Sequence, residues 1–133
     1  MGARSNKSIG TAFEREVCDL LARNGYWVHF IVPDARGAQP FDIIAMKDGI
    51  AHAIDCKTNV ANTFNYSRLE ENQIMAFEKW IKCGGTMPII AVKHNGRIYA
   101  IEYDKLKAGK SIGLNDSEQE AMYFWDDERS DST

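Results

Sequence analysis

Between Gly10 and Asn24 the apolar positions Phe13, Val17, Leu20 and Leu21 recur at helical spacing, with Asn24-Gly25 as a C-terminal stop. An amphipathic helix is predicted there. The segment before it, residues 1–9, is small and polar and is expected to be a flexible basic arm. Tyr26 to Val32 is aromatic and β-branched, a strand pattern, and Pro33 to Gln39 with Arg36-Gly37 reads as a loop. Ile43 to Met46 is an apolar run, Lys47-Asp48-Gly49 supplies an Asp-Gly turn, and Ile50 to Lys57 returns, which predicts a β-hairpin. After a polar stretch with aromatics from Thr58 to Arg68, the positions Ile74, Phe77, Trp80 and Ile81 mark a second helix over Leu69 to Cys83, ended by Gly84-Gly85. Pro88 to Lys93 and Arg97 to Tyr103 read as strands around a His94-Asn95-Gly96 turn, followed by a short helical turn over Asp104 to Lys107. The order helix, three strands, helix, two strands predicts an α/β domain with a central mixed β-sheet flanked by helices.

Beyond Lys110 the periodicity fades, except for an apolar patch at Met122-Tyr123-Phe124-Trp125 that is suited to docking on the body or on a partner. Charge changes at the same place. Residues 1–110 hold 15 Lys/Arg against 12 Asp/Glu, whereas residues 111–133 hold 1 against 7. The expected organisation is therefore one domain over 1–110, including the arm, and an acidic tail over 111–133. At 133 residues and 44% hydrophobic, the chain is long enough for one real core and too short for two ordinary domains. Neither a membrane-spanning run nor a secretion leader is visible, so a cytoplasmic setting is expected, in a bacterial, archaeal or viral context. Cys18, Cys56 and Cys83 are widely spaced and odd in number, which argues against a disulfide framework or structural zinc; reduced, mostly buried thiols are expected.

The hairpin gives this pattern its chemistry. Asp42 stands at its entry and Asp55 and Lys57 on its return strand, and because strand side chains alternate, Asp55 and Lys57 share one face while Cys56 takes the other. Two carboxylates and a lysine are the parts needed for phosphodiester cleavage with a divalent ion: oxygen ligands for Mg²⁺ or Mn²⁺, and a cation for the water or the phosphate. A backbone carbonyl at Cys56 is a further candidate ligand. The alternative is a turn aspartate and an exposed Asp/Lys pair.

Gly10-Thr11-Ala12-Phe13-Glu14-Arg15-Glu16, Pro40-Phe41-Asp42-Ile43-Ile44-Ala45 and Ala53-Ile54-Asp55-Cys56-Lys57 resemble, in order and spacing, three motifs of the archaeal-type Holliday junction resolvases of the PD-(D/E)XK nuclease superfamily. The stretch from Phe64 to Gln73 and the strands after it are similar to the bacterial RecU-type resolvases. The resemblance spans about residues 8–107. It implies a restriction-endonuclease-like fold and a homodimeric, Mg²⁺-dependent endonuclease that nicks four-way DNA junctions symmetrically. It further implies metal ligation by Glu14, Asp42 and Asp55, a catalytic Lys57, and an accompanying Gln73. Asp55 stands where the resolvases usually carry glutamate, a ligand shorter by one methylene. A restriction-like or repair nuclease, or a catalytically idle DNA-structure-binding module, are alternatives on the same fold.

Other readings of single residues stay open at this level. Thr11 to Glu14 is also a capping-box pattern, and Gln73 is equally a surface amide. Arg4, Lys7, Arg15, Arg36, Tyr66 and Arg68 are candidate DNA contacts, with a solvated charge as the alternative for each basic residue. Phe64 and Tyr66 suit either DNA stacking or a dimer interface. His29, His52 and His94 are isolated and expected in core or surface roles.

Overall fold

The computed structural model describes residues 6–32 and 40–114, with side chains from residue 11 onward. Helix α1 (Asn6–Arg23) is followed by β1 (Trp27–Phe30), β2 (Ile43–Lys47) and β3 (Ile50–Thr58). Next come β4 (Thr63–Asn65), a 3-10 turn over Tyr66–Arg68 and α2 (Glu71–Lys82). Strands β5 (Ile89–His94) and β6 (Arg97–Glu102), α3 (Tyr103–Gly109) and β7 (Ser111–Gly113) complete the described part. Five strands form one sheet in the order β1-β2-β3-β5-β6. Only β3 and β5 are parallel, joined by α2 as a crossover, so the sheet is mixed. Both hairpins close as the sequence anticipates. Asp48 and Gly49 in one turn, and Asn95 and Gly96 in the other, all take positive φ, the pairing that matches the right-handed twist of the flanking strands.

The alternation of β3 sends its residues to two different cores. Phe13, Val17, Leu20 and Leu21 of α1 pack with Ile43, Ala45, Ile54, Ala91 and Ala100 on one face. On the other, Phe77 of α2 packs with Ala53, Ile90, Val92, Tyr99 and Ile101. Phe77 lies between Phe41 and Tyr103, with ring centroids 5.8 and 5.2 Å away. Glu78 joins α2 to α3, accepting hydrogen bonds from the Tyr103 hydroxyl at 2.6 Å and the Lys107 ammonium at 2.7 Å.

Four expectations change. The first helix begins at Asn6, so residues 6–9 belong to it and not to an arm. The polar stretch from Thr58 to Arg68 contains β4, which pairs antiparallel with β7 in a second, two-stranded sheet. Leu114 beyond β7 is buried in the core, so the body extends past the boundary expected at residue 110. Phe64 is buried as well, which removes it from DNA stacking or an interface. Pairing between β4 and β7 is invisible locally because each strand is three residues long. The loop from Pro33 to Gln39, Arg4, Arg36 and the Met122 to Trp125 patch lie outside the described residues, as does the side chain of Lys7.

Candidate active site

Strand β2 stops at Ile43, paired with Ile54, while β3 continues to Thr58. Asp42 sits where the next β2 residue would be. Its backbone N–H still donates to the Ile54 carbonyl at 3.0 Å, and its Oδ2 accepts from the Cys56 N–H at 2.8 Å, so the carboxylate takes the place of the missing strand. Because the N–H and C=O of one strand residue point to the same side, the Cys56 carbonyl also faces this edge. Asp55 and Lys57 project from the α2 face of β3, with Lys57 Nζ 3.5 Å from Asp55 Oδ2. Asp55 is wholly buried.

Gln73, at the third position of α2, is 7% exposed and not a surface amide. Its Nε2 donates to Asp55 Oδ1 at 3.0 Å while its Oε1 accepts from the Glu70 N–H at 2.9 Å. One side chain thus caps α2 and grips a buried carboxylate. Glu14 reaches the site from α1. Thr11 lies inside that helix, so the capping-box alternative falls away. Glu14, Asp42, Cys56, Lys57, Glu70, Asn72 and Gln73 line one open, polar pocket of about 240 Å³. Glu70 and Asn72 were missed at the level of sequence; the only signal was the Glu70-x-x-Gln73 spacing of a helix start.

Electrostatics mark this pocket as strained. Burial first, then the negative charge and hydrogen bonding of Asp42, lift the Glu14 carboxyl to about 7, against a weaker opposing pull from Lys57. Burial, and then Asp42, also push Asp55 well above the usual carboxylate range. The Cys56 thiol is raised by burial and by the same carboxylates. Lys57 is the cation that opposes both shifts. Among the described residues no group of three or more His, Cys, Asp or Glu side chains is placed to hold a metal ion. Yet Asp55 Oδ2, buried and without a hydrogen-bond partner, and the hard oxygen donors of Asp42 and Glu14 fit a divalent ion of the Mg²⁺ or Mn²⁺ kind.

Stability should therefore fall as pH rises in the absence of metal. In the unfolded chain Glu14 and Asp55 titrate near 4, in the folded one well above, so between these values the native state holds more protons and loses stability with pH. In EDTA the Tm of the wild type is expected to drop from pH 5 to pH 8 relative to a Glu14→Gln/Asp55→Asn variant. Parallel curves for the two proteins would refute this.

The remaining predicted contacts scatter. Arg15 is exposed and lines a separate cavity of about 210 Å³ with Thr11, Cys18 and Phe30. Arg68, exposed at the end of the 3-10 turn, donates to the Thr58 carbonyl and to Asn59 Oδ1, which holds it against the two residues that follow Lys57. Tyr66 is half-buried beneath Lys110, whose Nζ lies 4.7 Å from the ring centroid. His94 is buried, with its ring nitrogens 3.0 Å from the Asn59 carbonyl and 3.2 Å from Asn62 Oδ1. His29 is exposed and His52 packs edge-on against Tyr26. Cys18 and Cys56 are half-buried, Cys83 is exposed, and all three are free thiols.

The family model described as archaeal Holliday junction resolvase (Hjc) matches residues 5–125, which includes every element above and most of the tail. The chain belongs to this family. Its fold is similar to that of Hjc from Archaeoglobus fulgidus, a Holliday junction resolvase from an archaeal hyperthermophile, with a TM-score of 0.58 and 20% identity over 71% of this chain and 78% of that one. No curated protein matches it closely. As a junction resolvase it is a structure-selective nuclease acting on branched DNA. The five-stranded sheet with its helices is the fold expected of a resolvase. No described helix is long and apolar enough to cross a membrane.

Proposed function

We propose that this resolvase is a Mg²⁺- or Mn²⁺-dependent endonuclease that works as a cytoplasmic homodimer and cuts the two symmetry-related strands of a four-way junction. The observation that carries the reading is the convergence of Glu14, Asp42 and Lys57 on one pocket, at the point where β2 gives way to a carboxylate beside buried Asp55. Asp42, Asp55, Glu14 and the Cys56 carbonyl are the groups that would hold the ion. When bound, a divalent ion supplies charge neutralisation at the scissile phosphate and a more acidic water. Lys57 stands at the pocket wall, where its ammonium orients the attacking water and offsets charge that develops on the phosphate oxygens. Gln73 keeps Asp55 in one rotamer by holding Oδ1, and ties that rotamer to the start of α2.

Arg68, held to the carbonyl of Thr58 just after Lys57, and the Lys110–Tyr66 pair can receive backbone phosphates without reading sequence. Two copies related by a two-fold axis present two such pockets to a substrate of the same symmetry, which accounts for paired cuts.

The test is cleavage of a synthetic four-way junction and a matched linear duplex in Mg²⁺, Mn²⁺ and EDTA. Metal-dependent, symmetric nicking of the junction alone is expected. Lys57→Met should slow nicking by about 10²-fold while leaving junction affinity unchanged, as for loss of one preorganised charge contact. Equal cutting of both substrates would make it a general nuclease, and binding without product a structural module.

A further inference from the structure

Helix α3 ends where the chain turns into β7, and the residue that makes the bend is Lys110, at φ 67° in the left-handed region. The other non-glycine residues with positive φ among those described are Asp48 and Asn95, short polar side chains that tolerate it. A helix end commonly leaves this position to glycine, which has no Cβ to strain. Gly109 stands one residue earlier, inside the helix, so the strained place falls to a lysine. Its backbone is held on both sides. The Lys110 N–H donates to the Leu106 carbonyl at 2.8 Å, and the Lys110 carbonyl accepts from the Tyr66 N–H at 2.9 Å, which fastens the end of α3 to the 3-10 turn over Tyr66–Arg68.

Two exposed cations frame that turn. Lys110 Nζ lies 4.7 Å from the centroid of the Tyr66 ring, and the Arg68 guanidinium lies 5.3 Å from the centroid of buried Phe64. Arg68 is fixed further by its hydrogen bonds to the Thr58 carbonyl and Asn59 Oδ1. Lys93, Lys105 and Lys107 are each paired with a glutamate. Among the described residues no carboxylate pairs with Arg68 or Lys110. Ordered on aromatic faces by neutral groups, these two charges keep their attraction for an anion, and part of the rotamer freedom that binding removes is already lost. The turn is also tied to the catalytic pocket twice: Thr58 directly follows Lys57, and Arg68 leads through Leu69 and Glu70 into α2, whose Asn72 and Gln73 line that pocket.

We propose that the 3-10 turn is a phosphate clamp, in which Arg68 and Lys110 hold the sugar–phosphate backbone of the junction beside the cut, and that Lys110 occupies a strained bend because its ammonium is needed there. Such a clamp reads no bases; it sets affinity and register. The assignment rests on the reading, given above, that this pair receives phosphates.

The test is a titration of a labelled four-way junction with the full chain in EDTA, followed by fluorescence anisotropy over a series of salt concentrations, beside thermal unfolding. Lys110→Gly is expected to weaken binding several-fold and to reduce the slope of log affinity against log salt by about one, as for one lost phosphate contact. Its Tm should equal or exceed that of the wild type, because glycine takes the left-handed bend freely. Arg68→Gln should reduce the slope alike, and the double variant by about two, with far-UV circular dichroism unchanged. Lys105→Gln, which removes an exposed positive charge from the same helix, should leave the slope as it is. An unchanged slope in either single variant, or an equal fall in Lys105→Gln, would overturn the proposal. So would a lower Tm for Lys110→Gly at wild-type affinity, which would make Lys110 a cap for α3 alone. Binding is read without metal or cleavage, so failure of the clamp and failure of the metal-dependent nuclease reading are told apart.

Discussion

Asp55→Asn is expected to reduce junction cleavage by about three orders of magnitude, on the order of 4 kcal/mol of barrier, while making the metal-free protein more stable. The two effects have one cause. Asp55 is fully buried and pressed by Asp42, with Lys57 at 3.5 Å and the Gln73 amide at 3.0 Å opposing, so its charged form is held at a cost that metal binding would relieve. The amide keeps the shape and can still accept from Gln73 through its oxygen, but it carries no charge for a cation. Opposite signs for activity and stability mark a residue retained for function and not for folding. Cleavage rates in Mg²⁺ and thermal unfolding in EDTA at pH 8 check both. A variant less stable than the wild type under those conditions would show that Asp55 is a structural anchor. Junction binding in EDTA should survive, because phosphate contacts elsewhere position the substrate.

Phe77→Ala should cost about 3–5 kcal/mol of folding stability, the range for removal of a fully buried aromatic ring. Phe77 has no exposed surface and touches both Phe41 and Tyr103, so the ring joins the strand entry that carries Asp42, helix α2 that carries Gln73, and α3. The cavity left behind would loosen all three attachments together. Chemical denaturation should show a lower midpoint at unchanged slope, and cleavage at a temperature where the variant remains folded should fall as well, since Gln73 no longer holds Asp55 in register. Phe77→Leu keeps much of the volume and should lose far less on both counts. If Phe77→Ala were as stable as the wild type, α2 would not be pinned through this ring.

The same two residues show where local sequence suffices. Phe77 falls on the apolar stripe of a helix, and Asp55 on an alternating strand beside Lys57; both are statements about neighbours a few positions away. Asp48-Gly49 and Asn95-Gly96 likewise announce their turns, because the positive φ they adopt is a property of those residues themselves. By such local rules the sequence determined the order of the main elements, the two hairpins, and the common face of Asp55 and Lys57. What it could not carry was anything that depends on a distant partner. Glu14 enters the pocket only because α1 packs against the opposite face of the sheet and reaches its end. Gln73 becomes a buried clamp only because α2 lands on Asp55. Phe64 became core, and residues up to Leu114 became part of the body, through pairing between β4 and β7 across almost fifty residues. Burial decided the rest: the raised carboxyls of Glu14 and Asp55 arise from which surfaces lose water when distant segments meet, and periodicity along the chain holds no record of that.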